Sequence, residues 1–240
     1  MKVVIVSAEE FASRAADFAS EAVLRKPSLV LGLPTGRTPL GMYEELSRRA
    51  AGGAVYFEHV MAFAIDELHG VAADHPATNA SYLAMHAPAL MRTHVMDSAA
   101  PDGDAECERF ASMIDRAGGL DLAIVGVGVN GHLAFNEPGS AFDSRARRVQ
   151  LVRSTREPYV DASGSFDATP EFGLTLGMSE LLAAQRVLLL ANGANKASIV
   201  ARALEGPVTV DVPASALQRH ANVKVLIDRK AALELRQVAS

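Results

Sequence analysis

The segment at residues 126–139 concentrates side chains that could exchange protons. It reads Gly-Val-Gly-Val-Asn-Gly-His-Leu-Ala-Phe-Asn-Glu-Pro-Gly and follows an apolar run. Three glycines within six residues are typical of backbone that approaches a ligand closely. His132 can exchange a proton near neutral pH, and Asn130 and Glu137 stand close enough in sequence to orient its ring. A glycine-rich turn around a structural histidine explains the same residues, and a metal site would need more His or Cys ligands than this segment holds.

A second candidate is the pair Asp66 and Glu67, which directly follows the apolar run at residues 60–65. A partly desolvated carboxylate at the carboxyl end of a strand is well placed to act as a general base. The alternative is structural, because either acid could instead cap a turn or pair with an arginine.

A third candidate is an anion site at residues 31–40, Leu-Gly-Leu-Pro-Thr-Gly-Arg-Thr-Pro-Leu. The pattern predicts a strand end, a tight turn and a helix with Thr38 as N-cap and Pro39 in the first helical position. Backbone N–H groups and the positive end of the helix dipole would then bind a phosphate. A capped turn with Arg37 on the surface is the structural alternative.

Two further cations could meet an anion beside these loops. Arg156 lies in the run Ser-Thr-Arg-Glu, and Lys196 lies in the first turn of a predicted helix that follows the strand at 187–191. Taken alone, each is more typical of a solvated surface charge.

Short apolar runs alternate with longer amphipathic segments, and this alternation predicts the elements that hold the loops. The predicted strands are 3–6, 29–33, 60–65, 120–127, 187–191 and 223–227. The predicted helices are 8–25, 39–50, 79–91, 105–117 and 195–204. The pattern predicts an α/β fold, a doubly wound and mainly parallel sheet with helices on both faces. We expect one domain over 1–240, with a decorating segment around 139–175, a candidate lid, where the periodicity fades.

Composition excludes several classes of protein. Hydrophobic residues make up 49% and charged residues 21%, as in soluble globular domains, and the net charge of −5 gives no nucleic-acid footprint. The apolar runs are too short to cross a membrane. The single Cys107 and the absence of a secretory segment predict a cytoplasmic protein.

Taken together, these motifs resemble the glucosamine-6-phosphate deaminase (isomerase) family. The resemblance covers nearly the whole chain. It rests on residues 31–43, Asp66-Glu67 followed by His75-Pro76 and Ser81-Tyr82, residues 128–138, Ser154-Thr155-Arg156, Thr175-Leu176-Gly177, Lys196 and Ala216-Leu217-Gln218.

The resemblance implies a Rossmann-like fold shared with 6-phosphogluconolactonases, and a reaction that converts glucosamine 6-phosphate and water into fructose 6-phosphate and ammonia. It implies that His132 assists ring opening, that Glu137 and Asn130 orient it, and that Asp66 moves the C2 proton to C1. No cofactor is implied. The residues implied for phosphate binding are Thr35, Gly36, Thr38, Arg156 and Lys196. A homo-oligomer is a further expectation that the sequence leaves open.

Three alternatives stay open at this point. The same chemistry could act on galactosamine 6-phosphate. A 6-phosphogluconolactonase usually has Asp-Glu-Arg where this chain has Asp66-Glu67-Leu68, and it lacks the Phe-Asn-Glu-Pro continuation. A sugar-phosphate sensor would carry a helix-turn-helix, for which a first strand at Val3 leaves no room.

Regulation is also expected to differ from that of allosterically activated members. Arg147 is retained, but Val149 stands where those members have a lysine, and the chain ends earlier than theirs. We therefore predict that N-acetylglucosamine 6-phosphate does not activate this protein.

Overall fold

The computed structural model describes residues 1–90 and 92–236. The strands within these residues are β1 (Lys2–Val6), β2 (Val30–Leu33), β3 (Met61–Ala64), β4 (Asp66–His69), β5 (Thr93–His94), β6 (Leu122–Gly126), β7 (Arg147–Gln150), β8 (Phe172–Thr175), β9 (Val187–Ala191) and β10 (Val223–Asp228). The α-helices are α1 (Ala8–Arg25), α2 (Leu40–Ala51), α3 (Asn79–His86), α4 (Gly103–Arg116), α5 (Arg153–Arg156), α6 (Val160–Ser163), α7 (Met178–Leu182) and α8 (Ala197–Glu205). Short 3-10 helices cover Pro88–Leu90, Glu157–Tyr159, Ala194–Lys196 and Pro213–Arg219.

The main sheet has seven strands in the order β1-β10-β9-β6-β2-β3-β5, and all its neighbouring strands are parallel. From β2 the chain adds β3 and β5 on one side, then returns to add β6, β9 and β10 on the other. The order therefore reverses between β2 and β6, and ligands bind beyond the carboxyl ends of the strands at such a point. The doubly wound, mainly parallel sheet predicted from the sequence is confirmed.

Helices cover both faces of this sheet, because successive strand side chains point to opposite sides. In β6, Leu122 and Ile124 belong to the core that contains α1, α2 and α3. Ala123 and Val125 belong to the core that contains α4, α7 and α8. Burial on both faces explains why β2, β6 and β9 are apolar throughout instead of alternating with polar residues.

A second, antiparallel sheet lies in the order β4-β8-β7. Only Ile65 separates β3 from β4, so the chain passes directly from the main sheet into the small one at Asp66. The segment around 139–175 supplies β7, β8 and the short helices α5 and α6. The sequence did not predict this sheet, because its strands are four residues long and mixed in polarity. The single-domain boundary and lid motion stay predictions.

The N-caps of α1 and α2 differ, and the cap predicted for α2 is wrong. Ser7 caps α1 in a capping box with Glu10. Thr38 does not cap α2: the helix begins at Leu40 with Pro39 as its N-cap, and no side chain bonds the first turn. The Thr38 hydroxyl instead donates to Oδ1 of Asn192, 3.0 Å away, in the loop after β9.

The predicted helix 79–91 is also too long. It ends at His86, and Ala87 already has φ −123° and ψ 46°. Pro88 explains this end, because its ring disfavours helical geometry in the preceding residue. Met91 lies outside the described residues.

Among residues 1–90 and 92–236, no helix is both long and apolar enough to span a membrane. The cytoplasmic location stays a prediction.

Candidate active site

The candidate site lies at the carboxyl ends of β2, β3, β6 and β9. The chain leaves these strands through Thr35–Thr38, Asp66, the segment 127–138 and Asn192–Lys196 respectively. Because β3, β2, β6 and β9 are consecutive neighbours in the sheet, the four segments share one edge. Every site residue predicted from the sequence except Arg156 lies in one of them.

Asp66 is buried, with 8% of its surface exposed. Burial, with the adjacent Glu67 carboxylate as a second cause, raises the pKa of Asp66 to about 7. A carboxyl group with such a pKa can both accept and return a proton at neutral pH. The position immediately after an apolar strand thus creates the property expected of a general base.

Glu67 is fully buried and points to the N-terminus of α3. Its oxygens accept hydrogen bonds from the backbone N–H groups of Leu68 (2.7 Å), Asn79 (2.7 Å) and Ala80 (2.8 Å). Burial raises the pKa of Glu67 to about 7, and these three donors act in the opposite direction. Glu67 therefore anchors the start of α3 beside Asp66.

His132 lies on a tight turn that needs glycine at two positions. A Cβ at residue 128 would lie 2.3 Å from Cε1 of His132, so the ring packs against bare backbone at Gly128. Gly131 has φ +97°, a left-handed conformation that glycine adopts without strain. The backbone N–H of Gly128 donates to the carbonyl of His132, 3.0 Å away, and closes the turn.

A second turn brings Glu137 back to His132. Ala134 has φ +50°, a left-handed conformation that costs a non-glycine residue about 1 kcal/mol. The N–H of Asn136 donates to the carbonyl of Leu133 at 2.9 Å. As a result, Glu137 Oε2 lies 3.5 Å from Nδ1 of His132, a distance that makes an ion pair when the imidazole is protonated.

Glu137 is surrounded by donors. Nδ2 of Asn130 donates to its Oε2 at 2.6 Å, and the hydroxyl of Thr155 makes a very short hydrogen bond to its Oε1. Burial alone would raise the pKa of Glu137, but His132, Thr155 and Asn130 outweigh it, so the pKa lies below its usual value. Glu137 is therefore an anion that lies 3.5 Å from Nδ1 of His132.

The segment 127–138 is joined to Asp66 through β8. Thr175 is the cross-strand partner of Asp66, and its Oγ1 accepts from the N–H of Phe135 at 3.2 Å. Leu176 donates its N–H to the carbonyl of Ile65 and accepts from Nδ2 of Asn136 at 2.9 Å. The small sheet thus fixes the His132 cluster relative to the buried carboxylate.

Two tyrosines hydrogen bond to backbone carbonyl groups of the predicted phosphate loop. Tyr43 donates its hydroxyl to the carbonyl of Pro34 at 2.5 Å, and Tyr82 donates to the carbonyl of Gly36 at 2.7 Å. Gly36 has φ +96° and open space on the side where a Cβ would lie. Thr35 and Thr38 are half-buried and hydrogen bond to Asn79 and Asn192. This arrangement leaves the exposed backbone at Gly36 facing away from the core.

Lys196 and Arg156 differ in their placement. Lys196 is half-buried, donates to the carbonyl of Val127 at 2.8 Å, and burial lowers its pKa. It therefore lies beside the segment that carries His132. Arg156 donates to Oγ1 of Thr169 at 3.1 Å and to its carbonyl at 2.8 Å, and it stacks on Phe166. These contacts tie Arg156 to the segment 166–169.

Sequence reasoning missed several residues of the site. They are Glu67 as the anchor of α3, together with Asn79, Thr155, Tyr159, Thr175 and Asn192. Each makes its key contact with a residue at least 12 positions away, so no local spacing identifies it. Thr155 and Thr175 did stand inside the motifs that carry the family resemblance. Within the described part of the chain, no cluster of three or more His, Cys, Asp or Glu residues could hold a metal ion.

A family model described as glucosamine-6-phosphate isomerases/6-phosphogluconolactonase matches residues 6–226. The chain belongs to this family. A relative from Geobacillus sp. named glucosamine-6-phosphate deaminase is 38% identical over 228 residues, which are 93% of this chain and 91% of the relative. The family resemblance inferred from the motifs is therefore confirmed.

Solved structures of family members share the fold. A monomeric glucosamine-6-phosphate deaminase superposes with a TM-score of 0.93 at 37% identity and covers 98% of this chain and 100% of its own. A 6-phosphogluconolactonase from Trypanosoma cruzi gives a TM-score of 0.78 at 19% identity, covering 98% of this chain and 97% of its own. The second likeness shows the family fold alone.

Proposed function

We propose that this chain is an enzyme that converts glucosamine 6-phosphate and water into fructose 6-phosphate and ammonia. The observation that carries the proposal is the buried Asp66 carboxyl, whose pKa of about 7 suits repeated proton transfer at neutral pH. The relatives' names support the same reaction, because proteins called glucosamine-6-phosphate deaminase match along almost their full length.

In the first step, His132 moves a proton between the ring oxygen and the C1 hydroxyl of the cyclic sugar, and the ring opens to an aldehyde. The contact with Glu137 supports this role, because an adjacent anion stabilises the protonated imidazole. Asn130 holds Glu137 and, through its Oδ1, also accepts from the N–H of His132 at 3.2 Å.

In the second step, Asp66 removes the proton from C2, which the neighbouring aldehyde acidifies. The electrons of the C–H bond form the C1–C2 double bond, and the π electrons of the C1 carbonyl move to O1. O1 takes a proton from the ammonium group of the substrate, which gives a neutral enolamine. Asp66 then returns the proton to C1, which leaves an iminium at C2. Water adds to C2 and ammonia departs, so the oxygen of water becomes the ketone oxygen of fructose 6-phosphate. The atoms and electrons of the reaction balance without a redox cofactor.

The phosphate would bind at the loop with Thr35, Gly36 and Thr38, with Lys196 and Arg156 as cationic partners. Support comes from the exposed backbone at Gly36 and from the position of Lys196 at the same sheet edge. Arg156 would have to exchange its contacts with Thr169 and Phe166 for the phosphate. Binding at this remote end positions C2 beside Asp66, and such orientation lowers a barrier by several kcal/mol.

The test is to incubate the purified protein with glucosamine 6-phosphate and to measure ammonia and fructose 6-phosphate. Galactosamine 6-phosphate and 6-phosphogluconolactone are assayed in parallel. We expect turnover of the first substrate. Turnover of galactosamine 6-phosphate alone would retain the chemistry and change the substrate, and hydrolysis of the lactone alone would overturn the reaction while retaining the family.

A further inference from the structure

We propose that Asn79 is a positioning residue that fixes the carboxylate of Asp66 and couples it to the predicted phosphate loop. This inference rests on the proposed function, in which Asp66 is the base. Asn79 is buried, with 1% of its surface exposed, and lies in the first turn of α3.

Every hydrogen-bonding position of the Asn79 amide group has a partner. Its Nδ2 donates to Oδ1 of Asp66 at 2.7 Å and to the Asp66 carbonyl at 3.0 Å. Its Oδ1 accepts from the hydroxyl of Thr35 at 2.8 Å and from that of Tyr159 at 3.4 Å. Because a carboxylate and a carbonyl only accept, the NH₂ group must face Asp66 and the oxygen must face the two hydroxyls.

The backbone of Asn79 is fixed independently of its side chain. Thr78 caps α3 by accepting from the N–H of Ser81 at 3.1 Å. The N–H of Asn79 itself donates to Oε1 of Glu67 at 2.7 Å. A substitution at Asn79 therefore removes the amide contacts to Asp66 while these two anchors of the helix start are retained.

The geometry determines which atom of Asp66 takes the proton. With Oδ1 held by Asn79, Oδ2 is the oxygen left to reach C2 of the sugar. If the carboxyl group rotated freely, its two oxygens would exchange places. The site would then lose part of the orientation on which the rate depends. Thr35 belongs to the predicted phosphate loop and also holds Asn79, so a single side chain connects the phosphate end of the site to the base.

The same contact also acts on the protonation of Asp66, because it donates a hydrogen bond to one carboxylate oxygen. The titratable groups that face it are Glu67, Tyr159 and, from α2, Tyr43. Burial raises the pKa of both tyrosines, so they stay neutral through the working pH range. Burial and, second, Glu67 oppose ionisation of Asp66. A hydrogen bond donated to a carboxylate favours its ionised form, and Asn79 donates such a bond to Oδ1 of Asp66. Loss of that bond must raise the pKa of Asp66.

The experiment compares the pH dependence of kcat/KM for the wild type, Asn79→Leu and Asn79→Asp. Leucine has nearly the shape of asparagine but cannot donate, and aspartate retains the shape while adding a third carboxylate. The acid limb of the profile is the pH range in which kcat/KM falls as the pH is lowered. We expect this limb to move up by about one pH unit in Asn79→Leu and further in Asn79→Asp. At pH 6 the first variant would then lose roughly tenfold in kcat/KM and at pH 9 much less.

The matched control is Asn192→Leu, since Asn192 holds Thr38 as Asn79 holds Thr35 but makes no contact with Asp66 that the structure describes. We expect it to change KM and to leave the acid limb in place. If Asn79→Leu lost the same fraction of its activity at all pH values and its acid limb did not move, the positioning role would be wrong. Asn79 would then have a purely structural role.

A direct titration separates this proposal from the proposed function. The carboxyl ¹³C signal of Asp66, assigned by its loss in Asp66→Asn, is followed against pH in the wild type and in both Asn79 variants without substrate. A raised midpoint supports the role of Asn79 whichever sugar is the substrate, and unchanged midpoints in both variants refute it. If the wild type turns over no amino sugar phosphate, the proposed function is wrong. The titration still shows whether Asn79 lowers the pKa of Asp66.

Discussion

Two carboxylates of this site, Asp66 and Glu137, occupy environments that push their pKa values in opposite directions. Asp66 is buried beside another acid, and its pKa rises to about 7. Glu137 is also partly buried, but His132, Thr155 and Asn130 all stabilise its charge, and its pKa is lowered. One group can therefore change its charge during a reaction at neutral pH, whereas the other retains its charge.

Burial alone therefore does not assign a role to an acid. What decides is whether the groups around it favour the anion. The contacts of Glu137 include a histidine, a hydroxyl and an amide, each of which can donate a hydrogen bond. Asp66 has the Asn79 donor on one side and the Glu67 carboxylate on the other. The predictions below test whether these surroundings set the two roles.

The largest effect is expected for Asp66→Asn. The variant retains the side-chain shape but cannot take a proton, so kcat should fall by about 10³-fold or more. Affinity for the product fructose 6-phosphate, measured by calorimetry, should change little because the phosphate loop is intact. Asp74→Asn, an exposed change, is the matched control. An equal loss of affinity and turnover would mean that Asp66 is structural.

The next effect is that of Glu137→Gln. Without the anion next to His132, protonation of the imidazole in ring opening loses its partner, and kcat/KM should fall by about 10²-fold. Binding of an acyclic hexitol phosphate, which needs no ring opening, should be retained. A variant with wild-type kcat/KM for the cyclic substrate would contradict the role of Glu137.

The wild-type enzyme should show an acid limb in kcat/KM near pH 7. Asp66 must be ionised to remove the C2 proton, so the rate should fall about tenfold per pH unit below that value. Stopped assays between pH 5 and pH 9 at constant ionic strength measure the limb. A limb near pH 4 would show that the surroundings of Asp66 do not raise its pKa.

The smallest effect is on stability, and its sign differs between the two acids. The folded pKa of Asp66 lies above its unfolded value, so its contribution is fully present below about pH 4 and is lost as the pH rises to about 7. Asp66→Asn should therefore raise Tm at pH 8 by about 10 °C.

Glu137 shows the opposite linkage. Its folded pKa is depressed, so its contribution is present above the unfolded pKa and disappears as the pH falls through the folded one. Glu137→Gln should lower Tm at pH 8. The difference in Tm between the variant and the wild type should vanish once the pH is below the folded pKa of Glu137. Calorimetric scans of both variants at pH 8 and at a series of pH values below 4.5 measure these shifts, and changes of the same sign at pH 8 would contradict the comparison.

Much of the main sheet could be predicted because its signals are local. The strand at 187–191 and the helix at 8–25 match the structure residue for residue, since each is a continuous apolar or amphipathic run bounded by clear stops. The small sheet could not be predicted in the same way. Its strands are short, and β4 looks like a turn because acids begin it directly after β3.

The amino-acid sequence specifies the doubly wound class and the loops that carry Asp66, His132, Glu137 and Lys196. Hydrophobic period and turn residues contain this information, because parallel strands bring their carboxyl ends to one edge. The residues that contact these groups depend on the tertiary fold: Asn79 contacts Asp66, Thr155 contacts Glu137 and Val127 contacts Lys196. Those pairs are separated by 13, 18 and 69 positions. Sheet order and the small antiparallel sheet bring them together, and no local pattern in the chain specifies such contacts.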